Sequence, residues 1–377
     1  MNPPMEPVTH FLTGACIGRA GFNRKTAYAT LAATLSAEAP DMDIFWGFAG
    51  PVTGFAHHRG ITHTFIAAPI NALVITGLVW VLDRLIFSRR KRPDPQPIRW
   101  FWVWFAAFVA ALSHLLLDWT NNYGIRPFFP FNGHWYSGDI VFIADPILWA
   151  LLVGAIVFPA LLGLADREVG ARRTRFRGRG FAIVALSGMV MLWCWRWAEH
   201  AHARNLVAST SVTPDPNQPV LRIALEPYPT NPFRWHALIE TPTTWQVAEV
   251  DSRRDEVVSD PARDTLFKPP VTPALQAARR TYLGQVYSDW SQWPVVRDLG
   301  RQQIPGVPLP DMPPTRPWSA VEFSDLRFAY PYLDAGMDNG ASRSLEHLLT
   351  TAGLSGWVYI VDGHEDAGQF LSGREQK

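Results

Sequence analysis

His58-Arg59-Gly60-Ile61-Thr62-His63 runs directly into a long apolar stretch, Thr64 to Phe87, and His114-Leu115-Leu116-Leu117-Asp118 closes another that begins at Trp100. A helix rises about 1.5 Å per residue, so about 20 apolar residues cross the hydrocarbon core of a bilayer. Each stretch therefore reads as a membrane span with metal-binding side chains at one end. Ionisable groups in or beside a span cost roughly 2.5–3.5 kcal/mol on insertion scales, so they usually mark function.

Two further runs, Phe142–Leu164 and Phe181–Ala198, bring the expected spans to four. Shorter helical patterns at Thr9–Ala20 and Thr26–Ala39 precede them, joined by Gly21-Phe22-Asn23, and suggest a helical hairpin whose tip carries Arg19, Arg24 and Lys25. Thr9 and Thr62 stand where they can cap helices starting at His10 and His63. Positive charge orients the spans. Arg89, Arg90, Lys91, Arg92 and Arg99 follow the first span, and Arg167, Arg172, Arg173, Arg175, Arg177 and Arg179 follow the third; the loop between, Trp119 to Ile140, holds only Arg126. The basic loops are expected in the cytoplasm, with His63, His114 and Asp118 at the outer face. If the hairpin points its basic tip inward, His10 and Pro40-Asp41-Met42-Asp43 arrive there too. The many tryptophans read as interfacial belts and span packing.

The chain of 377 residues divides by composition. Residues 1–200 form the expected polytopic helical membrane domain, and 205–377 a soluble, mostly β, extracytoplasmic domain. Alternating runs at Val220–Leu225, Trp235–Glu240, Trp245–Val250, Ala320–Phe328 and Gly356–Asp362 predict strands, and Pro305–Pro317 a Pro-rich connector. A net charge of +1 argues against a nucleic-acid partner. Cys16 and Cys194 both fall in apolar helical stretches and suggest no disulfide framework. No cleavable signal peptide is expected, because Met1 to Pro7 lacks a basic region.

Seven side chains are candidate metal ligands: His10, Asp41, Asp43, His58, His63, His114 and Asp118. His114 and Asp118 are four apart and share a helix face. Such a pair completes a metal site, or the carboxylate orients the imidazole. Seven exceed what one four-coordinate zinc uses, so one ion with supporting groups, or two ions, fits the count. Mixed imidazole and carboxylate ligands suit zinc first, and manganese or iron also. Hydrolysis follows most directly from a metal with an open position. One carboxylate among Asp41, Asp43 and Asp145 is expected to act as general base, and Arg59 to hold an anionic group such as a phosphate. Asp145-Pro146 also fits an ordinary helix start.

These residues, Thr9-His10, Pro40-Asp41-Met42-Asp43, His58 to His63 and His114 to Asp118, together resemble the YdjM-like family of LexA-binding, inner-membrane-associated proteins credited with metal-dependent hydrolysis. Tyr123-Gly124-Ile125 with Pro127, Pro130, Gly138-Asp139 and Asp145-Pro146 looks like the continuation of that pattern, over residues 5–200. Thr64 stands where many relatives carry Ser. The resemblance implies a multi-pass inner-membrane protein that hydrolyses its substrate with a metal.

The expected function is thus a membrane-bound, metal-dependent hydrolase in contact with the bilayer, cleaving an ester or phosphoester, with a lipid-like or phosphorylated small molecule as the candidate substrate. The alternatives are a non-catalytic metal-binding or metal-sensing membrane protein and a membrane scaffold.

Overall fold

Pro7–Ala20 (α1) and Ala29–Glu38 (α2) form two helices joined through a short 3₁₀ turn at Phe22–Arg24. The computed structural model describes residues 7–87, 96–168 and 178–376, apart from 211, 214, 216, 305, 310–314, 331–348 and 350–353. Arg89 to Arg92 and Arg172 to Arg177, the core of both expected basic loops, lie outside the described residues. Gly14 and Gly18, four apart, let α1 and α2 touch. A Cβ on Gly18 would lie 2.4 Å from Thr30 Cα, and one on Gly14 2.6 Å from the Ala33 carbonyl oxygen. This small-residue spacing gives close packing where lipid supplies no hydrophobic drive between helices.

Ala67–Leu82 (α4), Trp100–Thr120 (α5), Pro146–Glu168 (α6) and Arg179–Ser209 (α7) are the long helices. Four helical segments of 20, 21, 21 and 31 residues, the first running from α4 into the π-helical turn Asp83–Phe87, are long and apolar enough to cross a membrane. Alanines bring α2 against its neighbours: Ala29, Ala33 and Ala37 pack with Ile17, Ala106 and Ala110, while Ala32 packs with Ala72, Val79, Val103 and Ala107. Leu148, Leu152, Ala182, Ala185 and Met189 then join α6 and α7 to Cys16 and Leu117.

Both expected threonine caps are overturned. The first helix begins at Pro7, so Thr9 lies inside it, and its hydroxyl accepts from Trp149 Nε1 at 3.0 Å. After a 3₁₀ turn at Ile61–His63, Thr64 takes the capping role before α4, accepting from Ala67 N–H at 3.0 Å. Thr62 instead donates to Asp43.

The chain falls into two compact units. One comprises Met5–Asp43 with Arg59–Trp197; the other takes Ile44–His58 together with Ala198–Lys377. The short helix Pro51–His57 (α3) belongs to the second because Gln376 Oε1 accepts from Val52 N–H and Thr53 N–H at its start. Phe55 also meets Trp290 edge-on at 4.9 Å.

Two antiparallel sheets build this second unit. Arg222–Pro227 (β1), Arg234–Glu240 (β2), Thr244–Asp251 (β3) and Glu256–Val258 (β4) pair in that order, with Thr265–Phe267 (β5) also on β3. Pro294–Asp298 (β6), Trp318–Asp325 (β7), Gly356–Val361 (β8), Glu365–Leu371 (β9) and Arg374–Glu375 (β10) make the other, in the order β10-β9-β8-β7-β6. Strand alternation sends Trp235, Ala237, Ile239, Ala248 and Val250 toward Ala203 and Val207 of α7. The opposite face sends Leu238, Trp245 and Val247 toward Trp293, Val295 and Leu326. Two helices not read from the sequence, Pro273–Arg280 (α8) and Tyr282–Trp290 (α9), start at Thr272 and Thr281, whose hydroxyls accept from Leu275 N–H and Gly284 N–H. Described residues of the Pro-rich stretch 305–317 form neither helix nor strand.

Candidate metal centre

Four chain segments end together in the helical unit: the start of α1, the 3₁₀ run Ala39–Ala49 after α2, the 3₁₀ turn before α4, and the last turns of α5. They bring Asp41, His63, His114 and Asp118 together, with one ligand atom from each lying within 4.8 Å of all the others. His114 Nε2 lies 3.0 Å from His63 Nε2 and 3.2 Å from Asp118 Oδ2. Asp41 Oδ1 stands 3.3 Å from His63 Nε2 and 3.6 Å from His114 Nε2.

The partners assign the imidazole tautomers. His114 Nδ1 donates to the Ala37 carbonyl at 2.6 Å, which leaves the lone pair on Nε2. His63 Nδ1 faces Asp43 Oδ2 at 3.2 Å and the Thr62 hydroxyl at 3.0 Å. With Nδ1–H given to Asp43, His63 Nε2 meets the His114 lone pair either with a proton, which it donates, or with a lone pair of its own. Two lone pairs facing at 3.0 Å repel unless positive charge lies beside them. Asp118 Oδ2 is buried and accepts no hydrogen bond among the described residues.

The charges point the same way. Asp41, Asp43 and Asp118 bring three negative charges against the one positive charge of Arg59, leaving the centre negative before any charge on its imidazoles is counted. Burial alone would lower the His63 pKa, but Asp118, Asp41 and Asp43 outweigh it and raise it well above the ordinary imidazole value. Burial alone would raise the Asp41 pKa, but His114 and His63 outweigh it and bring it to about 2. The centre stabilises positive charge, and its donor set fits a divalent cation.

Three more residues support this core. His10 stacks on His114 with ring centroids 3.9 Å apart, and its Nε2 lies 3.5 Å from Asp118 Oδ1. Asp43 stands behind His63 and also accepts from Arg59 N–H at 2.8 Å. That bond holds Arg59 at φ +51, a left-handed conformation uncommon for a residue with a side chain. The buried Arg59 guanidinium donates to Asp118 Oδ1 at 2.6 Å, to the Gly124 carbonyl at 2.9 Å and to Asn121 Oδ1 at 3.1 Å. These protein groups take both of its terminal nitrogens, while its Nε makes no hydrogen bond among the described residues.

Two other expected site residues are not among the four grouped ligands. His58 ends α3 in the other unit, half-buried, with its N–H given to the Gly54 carbonyl. Asp145 Oδ1 accepts from Ile147 N–H at 2.8 Å and Leu148 N–H at 3.0 Å, the geometry of a cap on α6. Asn121 and the Ala37 carbonyl go unread in the sequence, where Gly124 figures only as part of the family pattern. Asn121 follows the apolar run of α5 directly, a weak signal; a backbone oxygen leaves none.

Apolar helices whose ends gather two imidazoles and two carboxylates define a membrane protein with a candidate metal-binding group. The chain belongs to the YdjM inner membrane protein family, whose family model matches residues 5–203. It is also similar to the uncharacterized protein YfhP of Bacillus subtilis (strain 168), 24% identical over 160 residues that take in 40% of this chain and 45% of that one. The match thus spans less than half of that relative. No solved structure matches the chain.

Proposed function

We propose that this protein is a membrane-bound, metal-dependent hydrolase of an ester or phosphoester, with the ion held by Asp41, His63, His114 and Asp118. The supporting observation is the buried convergence of Asp41, His63, His114 and Asp118, one ligand atom of each lying within 4.8 Å of all the others. Zinc suits the donor set first, then manganese or iron. When bound, such an ion polarises an ester or phosphoryl oxygen and lowers the pKa of a water molecule to about 7.

The chain's own residues supply the rest. Ala37 and Asp43 hold the imidazoles, and Arg59 fixes Asp118. His10, whose buried Nδ1 accepts no hydrogen bond among the described residues, would be the group to hold the proton released from that water. Among the carboxylates expected for that task, Asp43 and Asp145 are engaged by the protein. Asp41 serves in this reading as a ligand of the ion. Basic residues at the far ends of the spans favour a centre on the extracytoplasmic side of an inner membrane, with the residues after α7 on that side too. A centre at span ends lies at headgroup depth, which favours a lipid-linked substrate.

One observation favours a non-catalytic reading, a closed metal-holding or sensing centre. The most exposed of the four donor side chains, Asp41, is 11% accessible, and closed sites keep no open position. Metal analysis of the purified protein beside His114→Ala, Asp118→Ala and His10→Gln variants, with ester and phosphoester panels on the same samples, separates the two. Hydrolysis requires metal in wild type and His10→Gln, its loss from the other two, and turnover lowered about 10²–10⁴-fold in His10→Gln. Metal without turnover of any substrate leaves the closed centre; wild type that binds no metal removes both.

A further inference from the structure

At the end of the helical unit opposite His114 and Asp118, the α1–α2 tip and the starts of α5 and α7 enclose a groove of about 500 Å³. One wall is apolar, built by Ile17, Phe22 and Trp102; Phe22 in turn meets Phe105 edge-on at 5.8 Å. The rim carries Arg24, Lys25 and Arg179, all exposed, and no acidic side chain lines the groove among the described residues. Lys25 Nζ stands 5.4 Å from the centre of the Trp102 ring and has no carboxylate partner among the described residues. Arg179 Nε donates to the Ala20 carbonyl at 2.9 Å. That bond satisfies a carbonyl at the end of α1 and holds the guanidinium at the rim, its Nη groups unengaged among the described residues.

Depth identifies the ligand. Trp102 and Asp118 are 16 positions apart on one helix, about 24 Å along its axis, close to the thickness of a hydrocarbon core. The groove therefore lies at the opposite headgroup layer from the metal centre. It combines an apolar wall with two cations, Lys25 and Arg179, that have no carboxylate partner among the described residues, at the level of lipid phosphates. We propose that this groove binds the headgroup phosphate of an anionic phospholipid, its glycerol and upper acyl carbons lying against Trp102 and Phe22. Free inorganic phosphate shares the charge but has nothing to place on the apolar wall.

Native mass spectrometry of the full-length protein in neutral detergent, titrated with phosphatidylglycerol or phosphatidylcholine, reads the preference directly. Wild type is expected to hold phosphatidylglycerol at least about tenfold more tightly, an advantage that shrinks as salt rises. Lys25→Gln with Arg179→Gln should remove that preference, whereas Arg179→Lys keeps it and Arg84→Gln, a basic change outside the groove, leaves it intact. Circular dichroism checks helix content. Should the double variant lose it, Lys25→Gln alone, an exposed change at a side chain whose described partner is a ring face, carries the test with at least a threefold loss expected. Equal binding of the two lipids by wild type overturns the proposal, as does a preference that survives the folded variants. Displacement of phosphatidylglycerol by millimolar inorganic phosphate also overturns it, by making the free anion the ligand.

Discussion

Asp43 and Arg59 touch the centre only through other residues, and each can be tested by a single substitution. Asp43→Asn removes the carboxylate that faces His63 Nδ1 at 3.2 Å. Partners of this kind are worth about 10–100-fold in metal affinity, so chelator competition should show a loss in that range with the fold intact. Arg59→Met keeps the volume but leaves Asp118 buried without its counter-charge, at a cost of about 3–5 kcal/mol. Thermal unfolding should show that loss, and added zinc should recover part of it, because a cation between His114 and Asp118 restores the balance. At this scale much of the site was legible. His63, His114, Asp118, Asp41 and His10 are ionisable groups at the ends of apolar runs, where cost implies purpose. Asp41 and Asp43 could not be told apart, because a 3₁₀ turn and not a strand carries them. The partners of Arg59, Asn121 and the Gly124 carbonyl, come from a loop far along the chain and leave no mark beside it in the sequence.

Helix α1 meets α2 without side chains at two points, and that contact carries His10 and Asp41 into register with the centre. Gly18→Leu would press a branched side chain against Thr30 Cα, a backbone atom that cannot turn aside. Overpacking of this kind costs about 1–3 kcal/mol. Its expected signature is a lowered unfolding temperature with weaker metal retention, although Gly18 touches no ligand. The same substitution at Gly77, where a Cβ meets nothing within 4 Å, should leave both measurements near wild type. The long spans were legible because length and composition alone define them. Helices α8 and α9, of 8 and 9 residues, are too short for a period to emerge, and Thr272-Pro273 and Thr281 were their only local marks. Thr9 shows the reverse failure, a good cap residue that tertiary packing uses inside a helix.

Two compact units with separate chemistries should lose stability under separate conditions. In the C-terminal unit, His236 lies fully buried on β2, its Nε2 3.3 Å from the Leu326 carbonyl and its Nδ1 without a hydrogen bond among the described residues. Glu226 and Glu249 stand opposite it in register, but Glu249 already binds Arg234 and the Tyr228 hydroxyl. Burial dominates and lowers the His236 pKa to about 4, only partly offset by the Leu326 carbonyl. The unfolded chain therefore binds the proton first as pH falls. Stability from this group is complete above about pH 6.5 and drains away toward pH 4, by about 3 kcal/mol in all. His236→Gln should flatten that dependence. Metal acts on the other unit: at a hundredfold excess over its dissociation constant, an ion adds about 2.7 kcal/mol, and a chelator removes it. Calorimetry in detergent at pH 7.5 and pH 5, with and without chelator, should thus resolve two transitions. Acid should lower one and chelator the other, with His236→Gln and His114→Ala each silencing its own response. A single transition that moves with both treatments would show that the units unfold as one.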